Sequence, residues 1–275
     1  VDVPITSSDA TAAPVVDGAA PVATPIIARR RRWIGVAIGW WLVAFVIACG
    51  WDRAVWLMVS RGGKPLLQWL EDSMAWETLL MSLRGAARMQ GHAIVEAIEA
   101  IGYGAIYLFG RIWPWIGLAL VFIFRHWAGT DGAKVKAGLR RGTFVFLVPA
   151  GAGLAAEVLK LITRRARPEA MDGFYAFKPW SHADLFGTNF WSTSGLGLAS
   201  SHAAVAFGGA LAAGLLLPRW RWPLLGLALL CTVSRVATGA HYLSDAVMGT
   251  ALAFAAFHLF YAWDARNNHG VAIAA

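Results

Sequence analysis

His241 and Asp245 stand four residues apart in the stretch 234–245, which separates two apolar runs. On a helix that spacing puts both on one face, one turn apart. A carboxylate beside an imidazole selects its tautomer and stabilises its cation. Arg235, upstream in the same stretch, offers a forked cationic donor suited to a phosphate. A nucleophile or base, its orienting acid and an anion clamp thus fall within twelve residues. The plainer alternative is a buried salt bridge at a helix end. Ionisable groups between membrane segments are costly, however, and are commonly functional.

Two further clusters share this character. In the run 160–168, Lys160 and Arg167 are seven apart, which on a helix is nearly two turns and one face. Arg164 and Arg165 add to the positive field. The competing reading is a set of interfacial anchors. Ser200, Ser201 and His202 directly precede an apolar segment. Either serine could cap a helix N-terminus, where free N–H groups and the dipole favour phosphate. His202 in the first turn could exchange a proton, or could be an ordinary interfacial histidine. Trp180, His182, Phe186, Phe190 and Trp191 are placed to shape the mouth of such a site, with no motif fixing their roles.

Taken together, these residues suit phosphoryl transfer through a covalent phosphohistidine. His241 would attack phosphorus while Asp245 holds its far ring nitrogen. His202 would protonate the leaving oxygen and then activate water. Lys160, Arg167, Ser200 and Arg235 would stabilise charge on the equatorial oxygens. With that many cations no metal or other cofactor is demanded, and the sequence carries no HExxH, P-loop, carboxylate cage or Cys/His metal spacing.

The rest of the chain must hold these clusters in place. It is 58% hydrophobic and only 15% charged, where soluble domains are nearer a quarter charged. Apolar runs long enough to cross a bilayer recur. Fifteen tryptophans suit a chain with many membrane–water boundaries. The net charge of +8 fits cytoplasmic loops and anionic lipid, not nucleic acid, since no basic stripe with stacking aromatics lies outside the spans. Cys49 and Cys231 both fall in expected spans, which disfavours a structural disulfide or a cysteine metal site.

In chain order, residues 1–28 read as a disordered cytoplasmic tail, with no signal peptide before the four arginines at 29–32. A first span covers about residues 33–51, or continues to 59 if Asp52 and Arg53 sit at the far interface. Residues 61–100 suggest amphipathic helices lying on the extracytoplasmic surface as a connector. The second span ends at Phe124. It begins near residue 101 with Arg111 snorkelling, or near 112 as a short span, because Arg111 and Pro114 interrupt the run. A loop bearing Arg125, Lys134, Lys136, Arg140 and Arg141 follows. Spans three to six cover about residues 143–159, 203–217, 224–240 and 246–263, and residues 264–275 form a tail. Glu157 in span three has no packing explanation. The expectation is an all-α polytopic membrane protein, a six-transmembrane-helix bundle over 29–263 with no internal repeat. Both termini would be cytoplasmic, in a bacterial-type inner membrane, because each inner loop is basic. All three polar clusters then fall on the extracytoplasmic side.

The ordered pattern Lys-x6-Arg-Pro at 160–168, Ser-x-His at 200–202 and Ser-Arg-x5-His-x3-Asp at 234–245 resembles the type 2 phosphatidic acid phosphatase superfamily of integral membrane lipid phosphatases. The resemblance implies His241 as nucleophile, His202 as acid and base, and Asp245 as the orienting carboxylate. It implies Lys160, Arg167, Ser200 and Arg235 as phosphate ligands. The usual Pro-Ser-Gly-His is here Ala199, Ser200, Ser201, His202. Ser201 retains the backbone N–H that the glycine contributes, and adds a hydroxyl. The implied partner is a lipid phosphate substrate among membrane lipids: undecaprenyl diphosphate, phosphatidylglycerophosphate, phosphatidic acid or a lipid A phosphate. A lipid phosphotransferase would use the same site with another acceptor. A non-catalytic lipid-binding protein would need the cations but not two histidines and an acid. A vanadium haloperoxidase would share oxyanion motifs, but is disfavoured by the many spans.

Overall fold

The computed structural model describes residues 25–59, 102, 104–125, 127, 131–168, 176–178, 192–268 and 273. The expected connector at 61–100, most of the expected tail at 1–28, the aromatic residues and His182 of 180–191, and His269 lie outside the described residues. The chain divides into two compact units, Val1–Gly39 and Trp40–Ala275.

Among the described residues the regular structure is helical. The named helices are α1 (Pro25–Val59), α2 (Trp113–Phe124), α3 (Gly132–Thr163), α4 (Ser201–Leu216), α5 (Arg221–Ala237) and α6 (Leu243–Asn267), with a 3-10 turn at Pro218–Trp220. Three stretches are long and apolar enough to cross a membrane: Gly35–Met58 of α1, α3 and α6. At 12, 16 and 17 residues, α2, α4 and α5 are shorter.

In the second unit α4 is the central helix, and its composition explains why. Its alanines and glycines, from Ala203 to Gly214, are buried on nearly every side. Small residues let neighbouring backbones approach closely. A side chain at Gly209 would collide with the Trp115 indole of α2, and one at Gly208 would press on the Pro149 backbone of α3. Gly249 of α6 lies against the Ser200 carbonyl in the same way. That last approach brings the start of α6 onto the start of α4. Outward-facing Val46, Leu154, Ile162 and Leu259 are exposed, as suits helices surrounded by hydrocarbon.

Several boundaries differ from the sequence reading. Residues 25–28, expected in the tail, begin α1. α3 starts at Gly132, so Lys134, Lys136, Arg140 and Arg141 ride on a helix and not in a loop. The cause is Asp131, whose carboxylate accepts from Ala133 N at 3.0 Å and caps the helix early. α6 likewise runs past the expected tail boundary. Asp264 is buried on it and takes a two-pronged ion pair from Arg140, at 2.7 and 2.6 Å. Of the two starts read for the second span, the later one, near residue 112, is where α2 begins, with Pro114 in its first turn, where its missing N–H costs nothing. Residues 104–109 form a separate short helical stretch before it.

Candidate active site

α3 ends because Arg164 adopts a left-handed conformation (φ 50°, ψ 26°), and its N–H closes on the Lys160 carbonyl. Beyond it the chain is extended and pinned on both sides. Ala166 N donates to Ala176 O at 2.8 Å, Gly197 N to Arg165 O at 2.7 Å, and Arg167 N to Gly195 O at 3.0 Å. Arg167 is therefore not on the helical face of Lys160, as seven-residue spacing suggested. Its Nε instead donates to Leu196 O at 3.1 Å.

Lys160 is buried in the last turn of α3. Its Nζ donates to Glu157 Oε1 at 2.7 Å and to Ser201 Oγ at 3.0 Å. This answers the unexplained Glu157: it partners a lysine that would otherwise be a lone buried cation. Ser200, not Ser201, is the N-cap of α4, accepting from Ala203 N at 3.4 Å. The hydroxyl of Ser201 is thereby left to the lysine.

α5 ends at Ala237. Gly239, at φ +72°, makes the tight turn, a conformation that a side chain would strain. His241 lies in this turn, not on α6, and its N–H returns to Arg235 O at 3.2 Å. Asp245 is in the first turn of α6, where Oδ2 accepts from Tyr242 N at 2.9 Å and faces His241 Nδ1 at 3.4 Å. The two residues meet as expected from the sequence, but through helix capping and not through a shared helical face. With Nδ1 directed at the carboxylate, Nε2 is the nitrogen left to react. Asp245 also reaches the second cluster, since its carbonyl accepts from Ser200 N at 2.9 Å. Gly197 is required beside it, because a Cβ there would lie 2.9 Å from Asp245 Oδ2.

The second partner of Asp245 is Arg165. Its Nη2 donates to Asp245 Oδ1 and, at 2.8 Å, to Ser244 Oγ. Arg165, Ser244 and Asp245 are all buried. Ser244 N in turn donates to Asp52 Oδ1 at 2.8 Å. Asp52 is a buried carboxylate of α1, placed at the positive end of α6. The sequence reading gave Arg165 only to the general field and Asp52 to an interface. An acidic residue within an apolar span was the available signal for Asp52.

On the other side of the site, the His202 and Tyr107 rings lie 4.8 Å apart between centroids, and the Arg235 guanidinium stands 5.5 Å from the Tyr107 ring. His202 Nε2 and Arg235 Nε are buried without a hydrogen-bond partner among the described residues. Two such donors or acceptors suit an anion placed between them. Arg235, Arg111, His241 and Lys160 all lie within electrostatic reach of His202. The eight expected residues, Lys160, Arg167, Ser200, Ser201, His202, Arg235, His241 and Asp245, thus converge on one neighbourhood. Among the described residues no group of three or more His, Cys, Asp or Glu gathers where a cation could sit.

Burial pushes the His241 imidazole below its ordinary value, against the hydrogen bond and charge of Asp245, and Arg167 and Lys160 push the same way as burial. A neutral imidazole is the form that can attack phosphorus. The sign for stability follows. Below the ordinary histidine value, at about pH 6.5, the unfolded chain takes up a proton that the folded chain refuses. Stability is complete above that pH. It falls by about 1.4 kcal/mol per pH unit below it until the folded group titrates. Thermal unfolding in detergent from about pH 7 to about pH 5 is expected to show a shallower loss for His241→Gln than for the unsubstituted protein. Parallel curves would mean that His241 is not held neutral.

Residues 141–269 match the PAP2 superfamily. A lipid A 1-phosphatase of Rhizobium johnstonii is 32% identical over 118 residues, 42% of this chain and 44% of that protein. A lipid A 1-phosphatase of Rhizobium etli is 31% identical over 112 residues, 40% of this chain and 44% of that protein. The chain thus spans under half the length of these curated relatives. No solved structure matches. Asp52, Tyr107 and Arg111 lie outside the matched segment, whereas Lys160, Arg167, His202, Arg235, His241 and Asp245 all lie inside it.

Proposed function

We propose that this protein is a membrane lipid phosphate phosphatase that works through a phosphohistidine. The observation that carries the reading is His241, buried and facing Asp245 through Nδ1, with Lys160, Arg167 and a second histidine in electrostatic reach. His241 Nε2 attacks phosphorus and the bond from phosphorus to the lipid oxygen breaks; His202, which burial and the Arg235 charge push down to about 3, is raised by the anionic phosphate bound beside it, takes up a proton and delivers it to that oxygen. His202 then takes a proton from water, whose oxygen attacks the phosphohistidine. Inorganic phosphate leaves and His241 is restored. Lys160, Arg167, Arg235 and the N–H groups at the start of α4 hold the phosphoryl oxygens throughout. These cations carry the charge-stabilising role that a metal plays elsewhere, so the reaction is proposed to be metal-independent.

The activity for which the two relatives are named makes the 1-phosphate of a lipid A one candidate substrate, alongside lipid diphosphates and glycerophospholipid phosphates. The basic residues at 29–32, 134–141 and 219–221 support a reading with cytoplasmic termini and an extracytoplasmic site that the substrate enters from the outer leaflet. The test is phosphate release by detergent-purified protein from a panel of these lipids, with and without EDTA. Release unchanged by EDTA, with acid-labile label trapped on the protein from a phosphorus-labelled lipid, is the expected result. No release from any lipid, or release abolished by EDTA, overturns it.

A further inference from the structure

The segment before residues 141–269 reaches into the site. Residues 104–109 pack Ile106 and Phe109 on Ala206 and Ala210 of α4 and on Ala228 and Cys231 of α5. The turn that follows is seated tightly, since any side chain at Gly110 would meet Cys231 Sγ at 2.8 Å and His202 Cδ2 at 2.9 Å. Tyr107 is thereby fixed as a hub. Its ring touches the His202 ring, stands beneath the Arg235 guanidinium, and also lies 4.8 Å from the Arg111 guanidinium. Arg111 Nη2 donates to the Tyr107 hydroxyl at 2.6 Å. Such ring and hydroxyl contacts fix the direction of a guanidinium while leaving its other N–H groups for a ligand.

Arg111 is an exposed cation with no carboxylate partner among the described residues. Through the Tyr107 ring, which lies against His202, both Arg235 and Arg111 are gathered on the His202 side of the site. In the proposed reaction His241 is on the attacking side and His202 on the leaving side. A monoester's leaving group is a neutral alcohol after protonation and gives a guanidinium there nothing to bind. A diphosphate's leaving group is itself a phosphate.

We propose that Arg111, positioned by Tyr107, binds a second phosphate on the leaving-group side, so that the site is built for a lipid diphosphate. This rests on the phosphatase reading above and names its substrate class. In the step it serves, His241 Nε2 bonds to the terminal phosphorus and the bridging P–O bond breaks. The lipid monophosphate departs with Arg111 on its oxygens, and water releases the terminal group as inorganic phosphate.

The test uses inorganic pyrophosphate and orthophosphate as probes, with dissociation constants measured by calorimetry on the purified full chain. The unsubstituted protein is expected to bind pyrophosphate at least about tenfold more tightly than orthophosphate. Arg111→Gln is expected to abolish that difference while leaving the orthophosphate constant within about twofold, which also shows that the variant is folded. Arg111→Lys is expected to restore part of the preference. Equal affinity for the two anions in the unsubstituted protein, binding of neither, or a parallel loss of both in Arg111→Gln, overturns the inference. Because these are binding measurements, they stand apart from the lipid turnover that tests the phosphatase reading.

Discussion

Alanine in place of His241 is expected to lower phosphate release by about 10⁴-fold or more, to the assay background. The expectation follows from the geometry of the turn. His241 Nδ1 faces Asp245 Oδ2 and its surroundings are closed, so no other described nucleophile can occupy the position of Nε2. Water could attack directly, but it would lack both the ring and the carboxylate that orients it. Residues acting as one unit lose activity non-additively. His241→Ala with Asp245→Ala should therefore be no slower than His241→Ala alone. Steady-state release from the best lipid of the panel measures both, with circular dichroism and gel filtration in detergent to check folding. If His241→Ala retains more than about a hundredth of the rate, the covalent mechanism is wrong and His241 is a binding residue.

The second large effect is on stability. Arg165→Ala is expected to cost about 3–5 kcal/mol, read as a marked fall in Tm in detergent. Asp245 is fully buried, and Arg165 is its cationic partner. Removing the guanidinium leaves a carboxylate with only the Tyr242 N–H and the His241 ring, and it also frees Ser244 Oγ. An uncompensated buried charge is expensive, whereas removing both members of a pair is much less so. The double variant Arg165→Met, Asp245→Asn should therefore regain much of the lost stability. Arg165→Lys keeps the charge but cannot serve Ser244 and Asp245 with one planar group, and should fall between. An Arg165→Ala protein that melts with the unsubstituted one would show that Asp245 is satisfied without the arginine.

These two residues mark the limits of sequence reading in this chain. The apolar runs, the basic segments and the order of the three polar clusters were all visible in one dimension, because hydropathy and motif spacing are local properties. The positions of α4, α5 and α6 followed to within a few residues. His241 and Asp245 were paired correctly from a spacing of four, although the contact is made by a turn and a helix cap.

What the tertiary structure alone decided concerns direction and long-range partners. Four arginines and lysines stand within eight residues at 160–167, and a helical wheel places Arg167 with Lys160. The left-handed Arg164 breaks that periodicity, turning Arg165 inward to Asp245 and carrying Arg167 into a non-helical segment where its Nε donates to Leu196 O. Asp52 finds Ser244 across 192 positions of chain, and Lys160 finds Ser201 across 41. Tyr107 and Arg111 belong to a segment with no motif, and reach His202 and Arg235 only because Gly110 allows the turn to close on α4 and α5. Motif spacing records which residues a reaction needs. It does not record which buried charge neutralises which, since that depends on backbone turns and on helices distant in the chain meeting at one end of the bundle.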